Sequence, residues 1–413
     1  MSGYKKLKIV FLLLFLIGML TGCGVKEYWE DIKGLSAQQI GTLTLEDLKS
    51  AGEENSWTPV EVQRISFERK EHDTYAYDSL TEAEKLWYED INTMLAYRSD
   101  EGVELSKAGI EAGLTQESVD KIYQCVLIDH PEYFYVDGYE YTIFSLAGKL
   151  LGIELKGSYT LDLEECLERK AQIEAVAEEI LAQAPAQVSD YEKIKFVYEY
   201  IIYHTEYDLE AEDNQNIYSV FVGGASVCQG YAKATQYLLS QLNVPCTLVF
   251  GKVEEGEPHS WNMVKSDGEY YYLDTTWGDA SYTVNGQLSW QGNAPEIKYD
   301  YLCVTTNQLS LTHELTHELE LPECSATTDN YYIREGCYFI YYDEELLRGE
   351  INETLLSGRG MTTLKCDSKD VYEKMYEELI ENQKIFEYLS EEHSSVAYIQ
   401  EEEQLTLTFW VTK

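Results

Sequence analysis

Two stretches of this chain carry residues whose types and spacing suit covalent chemistry. The first is Gly223-Gly224-Ala225-Ser226-Val227-Cys228-Gln229-Gly230-Tyr231-Ala232, a permissive glycine loop running into a cysteine. From Tyr231 the apolar spacing (Ala234, Tyr237, Leu238, Leu242) is helical until Asn243 and Pro245. Cys228 is therefore expected at a helix N-terminus, where unpaired N–H groups and the positive dipole end favour a thiolate. The same N–H groups are ready donors for an oxyanion. The second stretch places His259-Ser260-Trp261-Asn262-Met263-Val264 and Tyr270-Tyr271-Tyr272-Leu273-Asp274 on either side of Ser266-Asp267-Gly268-Glu269. An Asp-Gly tip between alternating aromatic runs predicts a β-hairpin with a two-residue turn. In that register Ser266 faces Glu269, Trp261 faces Asp274, and His259 lies two residues along on the same face. Diagonal neighbours on one face are roughly 7–8 Å apart, within reach of a His and an Asp side chain. The chemistry such a set performs is acyl transfer. Cysteine attacks the acyl carbon, histidine moves the proton, and aspartate holds the imidazole tautomer and stabilises its cation. Taken singly, His259 reads as a strand histidine, Asp274 as a turn former and Cys228 as a buried hydrophobe. Taken together, they read as a catalytic set.

A second motif competes. His313-Glu314-Leu315-Thr316-His317 matches H-E-x-x-H, which holds zinc only on a helix, where positions i and i+4 share a face. Yet Leu309, Leu311, His313, Leu315, His317, Leu319 and Leu321 alternate as in an extended strand, while Leu311, Leu315 and Leu319 also fit a helix. Pro322 leaves little room for a long helix, and Glu335 is the candidate third ligand. A zinc metallopeptidase through His313, Glu314 and His317 is the minor alternative.

These residues need elements to position them. Ser189-Asp190-Tyr191-Glu192 fits a capping box, followed at helical spacing by Ile194, Val197, Tyr198 and Ile201. Upstream, helical patterns begin at Ser79 and at Thr115-Gln116-Glu117-Ser118, and Pro131 ends the second. Residues 133–155 alternate, with Asp137-Gly138 and Gly148-Lys149 as expected turns, and residues 163–184 read helical up to Pro185. Beyond Pro322, strands are expected near 331–342, 362–366, 396–399 and 405–411 around a helix near 371–387. The expected division is a signal segment 1–22, a tether 23–72, an α+β domain 73–185, the catalytic domain 186–322 and a small α+β domain 323–413.

The 413 residues carry 31 Lys+Arg against 74 Asp+Glu, a net charge of −43. That surface repels nucleic acid and anionic headgroups, so neither is an expected partner, and it favours solubility. Nine cysteines without a C-x-x-C pair argue against a structural zinc site or a disulfide scaffold. At the N-terminus, Lys5, Lys6 and Lys8 precede an apolar run over 9–20 and then Thr21-Gly22-Cys23-Gly24, the layout of a secretory signal. The apolar run is shorter than the roughly 20 residues of a spanning helix. Leu20-Thr21-Gly22-Cys23 resembles the lipobox of bacterial lipoproteins, which implies cleavage before Cys23, a lipid on its sulfur, and a location on the outer face of the membrane.

Residues 190–280 resemble the transglutaminase-like core family of the papain-like thiol superfamily. The matching segments are Val227-Cys228-Gln229-Gly230-Tyr231-Ala232, His259-Ser260-Trp261-Asn262 and Tyr272-Leu273-Asp274-Thr275-Thr276-Trp277. The resemblance implies an α+β fold with a helix packed on an antiparallel sheet. It also implies Cys228 as nucleophile, His259 as base, Asp274 as orienting residue, and no cofactor. Papain-like enzymes carry an oxyanion-hole Gln six residues before the cysteine, where this chain has Val222, so Gln229 and Tyr218 are the alternatives for that donor. The function expected is acyl transfer at amide bonds of proteins or envelope peptides, by hydrolysis or transamidation. The alternative is a non-catalytic surface adhesin built on the same core.

Overall fold

Side-chain caps decide where most helices start. A reciprocal capping box, Thr81 with Glu84, opens α1 (Glu82–Ala96), and Thr115 with Ser118 opens α2 (Gln116–Asp129). Asp162 caps α3 (Leu163–Leu181), and the expected Ser189–Glu192 box opens α4 (Asp190–His204). Each such cap contributes about 1 kcal/mol. Helix α5 (Cys228–Gln241) differs from these four: Val227 stands at its N-cap with no side-chain acceptor. Its first N–H groups are thereby left unclaimed by a cap, as an anion-binding helix start requires.

The structure is a computed structural model that describes residues 5–9, 41–42, 74–253, 256–279, 297–316, 319–356, 361–389 and 395–411. Most of the signal-like segment, Cys23 and nearly all of the tether lie outside these residues. Among the described residues no helix is long and apolar enough to cross a membrane.

Three larger sheets and a two-stranded pair succeed one another along the described residues. The first contains β1 (Lys5–Ile9), β2 (Gly41–Thr42), β3 (Val103–Glu104), β4 (Val136–Leu146) and β5 (Lys149–Tyr159), in the order β2-β1-β4-β5-β3. The β4–β5 turn falls at Ala147 and Gly148, both with positive φ. Asp137-Gly138, expected as a turn, instead lies inside β4 at a break in register, because the longer pairing with β5 absorbs it.

A short parallel pair, β6 (Glu206–Tyr207) and β7 (Ala225–Ser226), leads to α5. The central sheet then holds β8 (Cys246–Lys252), β9 (Pro258–Ser266), β10 (Glu269–Leu273), β11 (Leu302–Val304) and β12 (Glu314–Leu315). Its order is β11-β10-β9-β8-β12, antiparallel throughout. Two short helices, α6 (Thr275–Gly278) and α7 (Thr306–Leu309), follow β10 and β11. Helix α5 lies on β8 and β9, with Leu238, Leu239, Leu248 and Val264 in the core between them. The Asn262 Nδ2 donates to Ala232 O at 3.0 Å and pins helix to sheet. Trp261, Met263 and Tyr272 fill a second apolar cluster with Tyr301, Val304 and Leu309. A helix on an antiparallel sheet within an α+β chain is the fold class expected from sequence.

The tail forms a third sheet, β13 (Tyr338–Phe339), β14 (Met361–Cys366), β15 (Val396–Glu401) and β16 (Thr406–Val411), in the order β13-β14-β16-β15. Helices α8 (Glu344–Leu356) and α9 (Lys369–Tyr376) accompany it. The strand expected over 331–342 is mostly absent: Tyr331–Arg334 is a helical turn, and Gly336 at φ 82 separates it from β13. The tail is joined to the centre by the Tyr191 hydroxyl on Glu335 (2.9 Å) and a buried Lys365–Asp300 pair (3.6 Å).

Candidate active site

Cys228 is the first residue of α5, and its backbone is clamped from the preceding loop. Val227 N–H donates to Asn214 O (2.9 Å), and the Ser226 hydroxyl bonds Asn214 O (2.6 Å) and the Ser219 hydroxyl (2.7 Å). A Cβ on Gly230 would lie 1.9 Å from Ser226 Oγ, so only glycine lets that loop rest on the helix start. Val227 O takes the N–H groups of Gly230 and Tyr231, which leaves those of Cys228 and Gln229 as the donors at the helix tip.

His259 is brought in by the hairpin. Asp267 (φ 48) and Gly268 (φ 91) form the two-residue turn, the positive φ at both positions giving a type I′ geometry. The pairs Ser266–Glu269 and Asn262–Leu273 follow in the register read from sequence. Asp274 then leaves β10, donating its N–H to Tyr301 O (3.1 Å), and becomes the N-cap of α6. Its Oδ1 accepts from Thr276 N (2.9 Å) and Trp277 N (3.0 Å). Its Oδ2 accepts from His259 Nε2 at 2.7 Å. With Nε2 so engaged, Nδ1 is the His259 nitrogen left to face the Cys228 thiol, whose electrostatics the imidazole dominates after burial. The structure therefore brings Cys228, His259 and Asp274 into one connected set, with exposures of 1%, 4% and 1%.

The electrostatics follow from burial and contact. Burial alone would push the Cys228 thiol up, but the His259 imidazole and the Ser260 N–H beside it bring it below the usual thiol range. Burial pulls His259 down, and the Asp274 carboxylate more than offsets this, raising it to about 10. Burial likewise penalises ionised Asp274, yet His259, with His313 behind it, holds the carboxyl well below the usual carboxylate range. Both shifts favour a thiolate beside an imidazolium, the form that attacks carbonyl carbon.

His313 is the residue whose role sequence reasoning left unassigned. Glu314–Leu315 form β12, paired to Gly251 and Lys252 of β8, so the helix that a zinc-binding H-E-x-x-H needs is not formed there. The close approach depends on Gly251, where a Cβ would lie 2.2 Å from Glu314 O. His313 turns inward and its Nε2 reaches Asp274 Oδ2 at 2.9 Å. Glu335, the candidate third ligand, instead takes the Tyr191 hydroxyl and Lys195 Nζ. His317 lies outside the described residues. Among those described, one group converges closely enough to hold a metal, His259, Asp274 and His313, with ligand atoms within 4.8 Å of one another. Of the two alternative oxyanion donors, Tyr218 gives its hydroxyl to Gln172 Oε1 on α3 (2.8 Å).

Residues 174–275 match the family model of the transglutaminase-like superfamily. The matched stretch runs from α3 to just past Asp274. The chain is 27% identical over 106 residues to the kyphoscoliosis peptidase of Mus musculus, an alignment covering 22% of this chain and 16% of that protein. It thus spans about a sixth of the length of that relative. Among solved structures, a TGase is similar at 19% identity over 37% of this chain and 49% of its own, with a TM-score of 0.26. A candidate cysteine protease from Cytophaga hutchinsonii follows at 14% identity, 33% and 56% coverage, and a TM-score of 0.24. The likeness to the family rests on the sequence match over residues 174–275 rather than on these superpositions.

Proposed function

We propose that this chain is a lipid-anchored surface protein whose transglutaminase-like core catalyses acyl transfer at amide bonds through a thioester on Cys228. The observation that carries the reading is the buried His259–Asp274 pair, 2.7 Å apart, together with the buried Cys228 thiol at an uncapped helix start. In the first half-reaction the thiolate adds to the amide carbon, and the carbonyl electron pair moves to oxygen, facing the N–H groups at the tip of α5. As the C–N bond breaks, the His259 imidazolium gives its proton to the departing amine, leaving a thioester and a neutral imidazole. In the second half-reaction the imidazole takes a proton from water or an amine as that nucleophile adds to the thioester. Collapse expels the Cys228 thiolate and restores the imidazolium. Every proton and electron pair in this scheme moves between substrate and groups of this chain, so no cofactor enters it.

The substrates proposed are proteins or envelope peptides, consistent with a lipidated Cys23 holding the chain at the outer membrane face. The net charge of −43 argues against nucleic acid. The test is a side-by-side assay of a glutamine-bearing protein, scoring ammonia release and incorporation of a fluorescent amine. Amine incorporation lost in Cys228→Ala marks a transamidase, and ammonia or peptide-bond cleavage without incorporation marks a hydrolase. An electrophilic thiol probe that labels Cys228 no faster than the remaining cysteines would sink the enzyme reading and leave the adhesin.

A further inference from the structure

We infer that His313 is a fourth, positioning member of the site: its neutral imidazole donates Nε2–H to Asp274 and keeps that carboxylate ionised and aimed at His259. The inference rests on the proposed thiol chemistry and deepens it. Asp274 has four acceptor positions and four donors: Thr276 N and Trp277 N on Oδ1, His259 Nε2 and His313 Nε2 on Oδ2. Removing any one leaves an acceptor unmet in a place closed to water, which favours protonation of the carboxyl.

The tautomer of His313 follows from its surroundings. An ionised Asp274 requires a proton on Nε2, so in the neutral ring Nδ1 is an acceptor. The Thr312 hydroxyl stands 2.8 Å from Nδ1 and donates to it, and the Tyr301 hydroxyl (3.3 Å) supplies Thr312 Oγ1 in turn. A run Tyr301, Thr312, His313, Asp274 thus mirrors the run Cys228, His259, Asp274 and ends on the same oxygen. The ring is held by Trp261 and Trp277, each with its centroid 4.9 Å away, and its side chain is fully shielded from solvent. The titratable groups facing it are Asp274, His259 and Tyr301. Burial lowers its affinity for a second proton, which suits a neutral donor.

The experiment is the pH dependence of iodoacetamide alkylation at Cys228, followed by peptide mass spectrometry on the purified full chain. In His313→Leu the acid midpoint of the Cys228 rate is expected to rise by about one pH unit, tenfold in rate on that limb, as one charged hydrogen bond is lost. His313→Gln, which keeps an N–H donor near Nε2, is expected to restore it. Thr312→Val leaves the imidazole in place and is expected to move the midpoint the same way by less, which keeps the test open should His313→Leu fail to fold. An unmoved midpoint in His313→Leu and Thr312→Val, or equal shifts in the Leu and Gln variants, would overturn the inference. Stoichiometric zinc in the wild-type chain, lost in His313→Gln, would overturn it too, by giving His313 to a metal. Slow alkylation of Cys228 in the wild type would instead remove the proposed function, and this inference with it.

Discussion

Of the three buried histidine–carboxylate pairs among the described residues, two lie in different domains and compare directly. In the first domain His130 Nδ1 lies 2.8 Å from Glu132 Oε1, and in the central sheet His259 Nε2 lies 2.7 Å from Asp274 Oδ2. Both are shielded from water. The first joins residues two apart in the loop after α2, and its ring stacks flat on Tyr133, centroids 4.5 Å apart. The second joins residues fifteen apart across a hairpin and acts electrostatically on a thiol at a helix start. The contrast teaches that the pair itself is not the site. What suits the second pair to the proposed chemistry is its place beside a cysteine at a helix start.

The comparison can be broken experimentally, beginning where the expected effect is largest. His259→Ala should cut the alkylation rate of Cys228 at neutral pH by about 100-fold or more, the scale of a lost general base. His130→Ala should leave that rate within about twofold while lowering the melting temperature. Next in size, Asp274→Ala strips a partner from both histidines and both N–H groups of α6, and should destabilise the fold by about 3–5 kcal/mol in urea melts. Asp274→Asn, which keeps part of the cap, should cost less. Activity should also carry the signature of the ion pair: kcat/KM holds up below the ordinary thiol range and falls as His259 loses its proton near pH 10.

Stability should share that alkaline limit. Because His259 binds its proton more tightly folded than unfolded, its contribution is complete below the unfolded value near 6.5 and fades as pH climbs to about 10. Asp274 works in the opposite sense. Its depressed value adds stability above the ordinary carboxylate range, and that stability is lost only in acid. The melting-temperature gap between wild type and His259→Ala should therefore narrow from pH 6.5 to pH 10. The smallest effect belongs to a cap far from the chemistry: Ser189→Ala should cost about 1 kcal/mol without touching Cys228 reactivity.

How much of this was legible beforehand varies by element, for physical reasons. The hairpin was readable because an Asp-Gly turn fixes parity, and parity alone places His259 and Asp274 on one face. The start of α5 was readable from glycines followed by helical spacing. Its uncapped Val227, unlike the capped starts of α1 to α4, is a local signal of the same kind. His313 drew notice through H-E-x-x-H, but its role depends on β12 crossing to pair with β8, a contact some sixty residues distant that no local period encodes. Asp137-Gly138 misled because turn chemistry was overridden by longer pairing within β4 and β5. In the tail, aromatic residues around Tyr331 mimicked a strand, while packing of the Tyr299 and Tyr331 rings, 3.8 Å between centroids, favours a helical turn.

The most direct test of the central claim is the pH profile of Cys228 alkylation in the wild type, His259→Ala and His130→Ala chains, measured together. The account predicts a wild-type midpoint below that of an ordinary thiol, the same curve in His130→Ala, and a midpoint at or above the ordinary thiol value of about 8.5 in His259→Ala. A His259→Ala curve that overlays the wild type, or a His130→Ala curve displaced as far as that of His259→Ala, would contradict it.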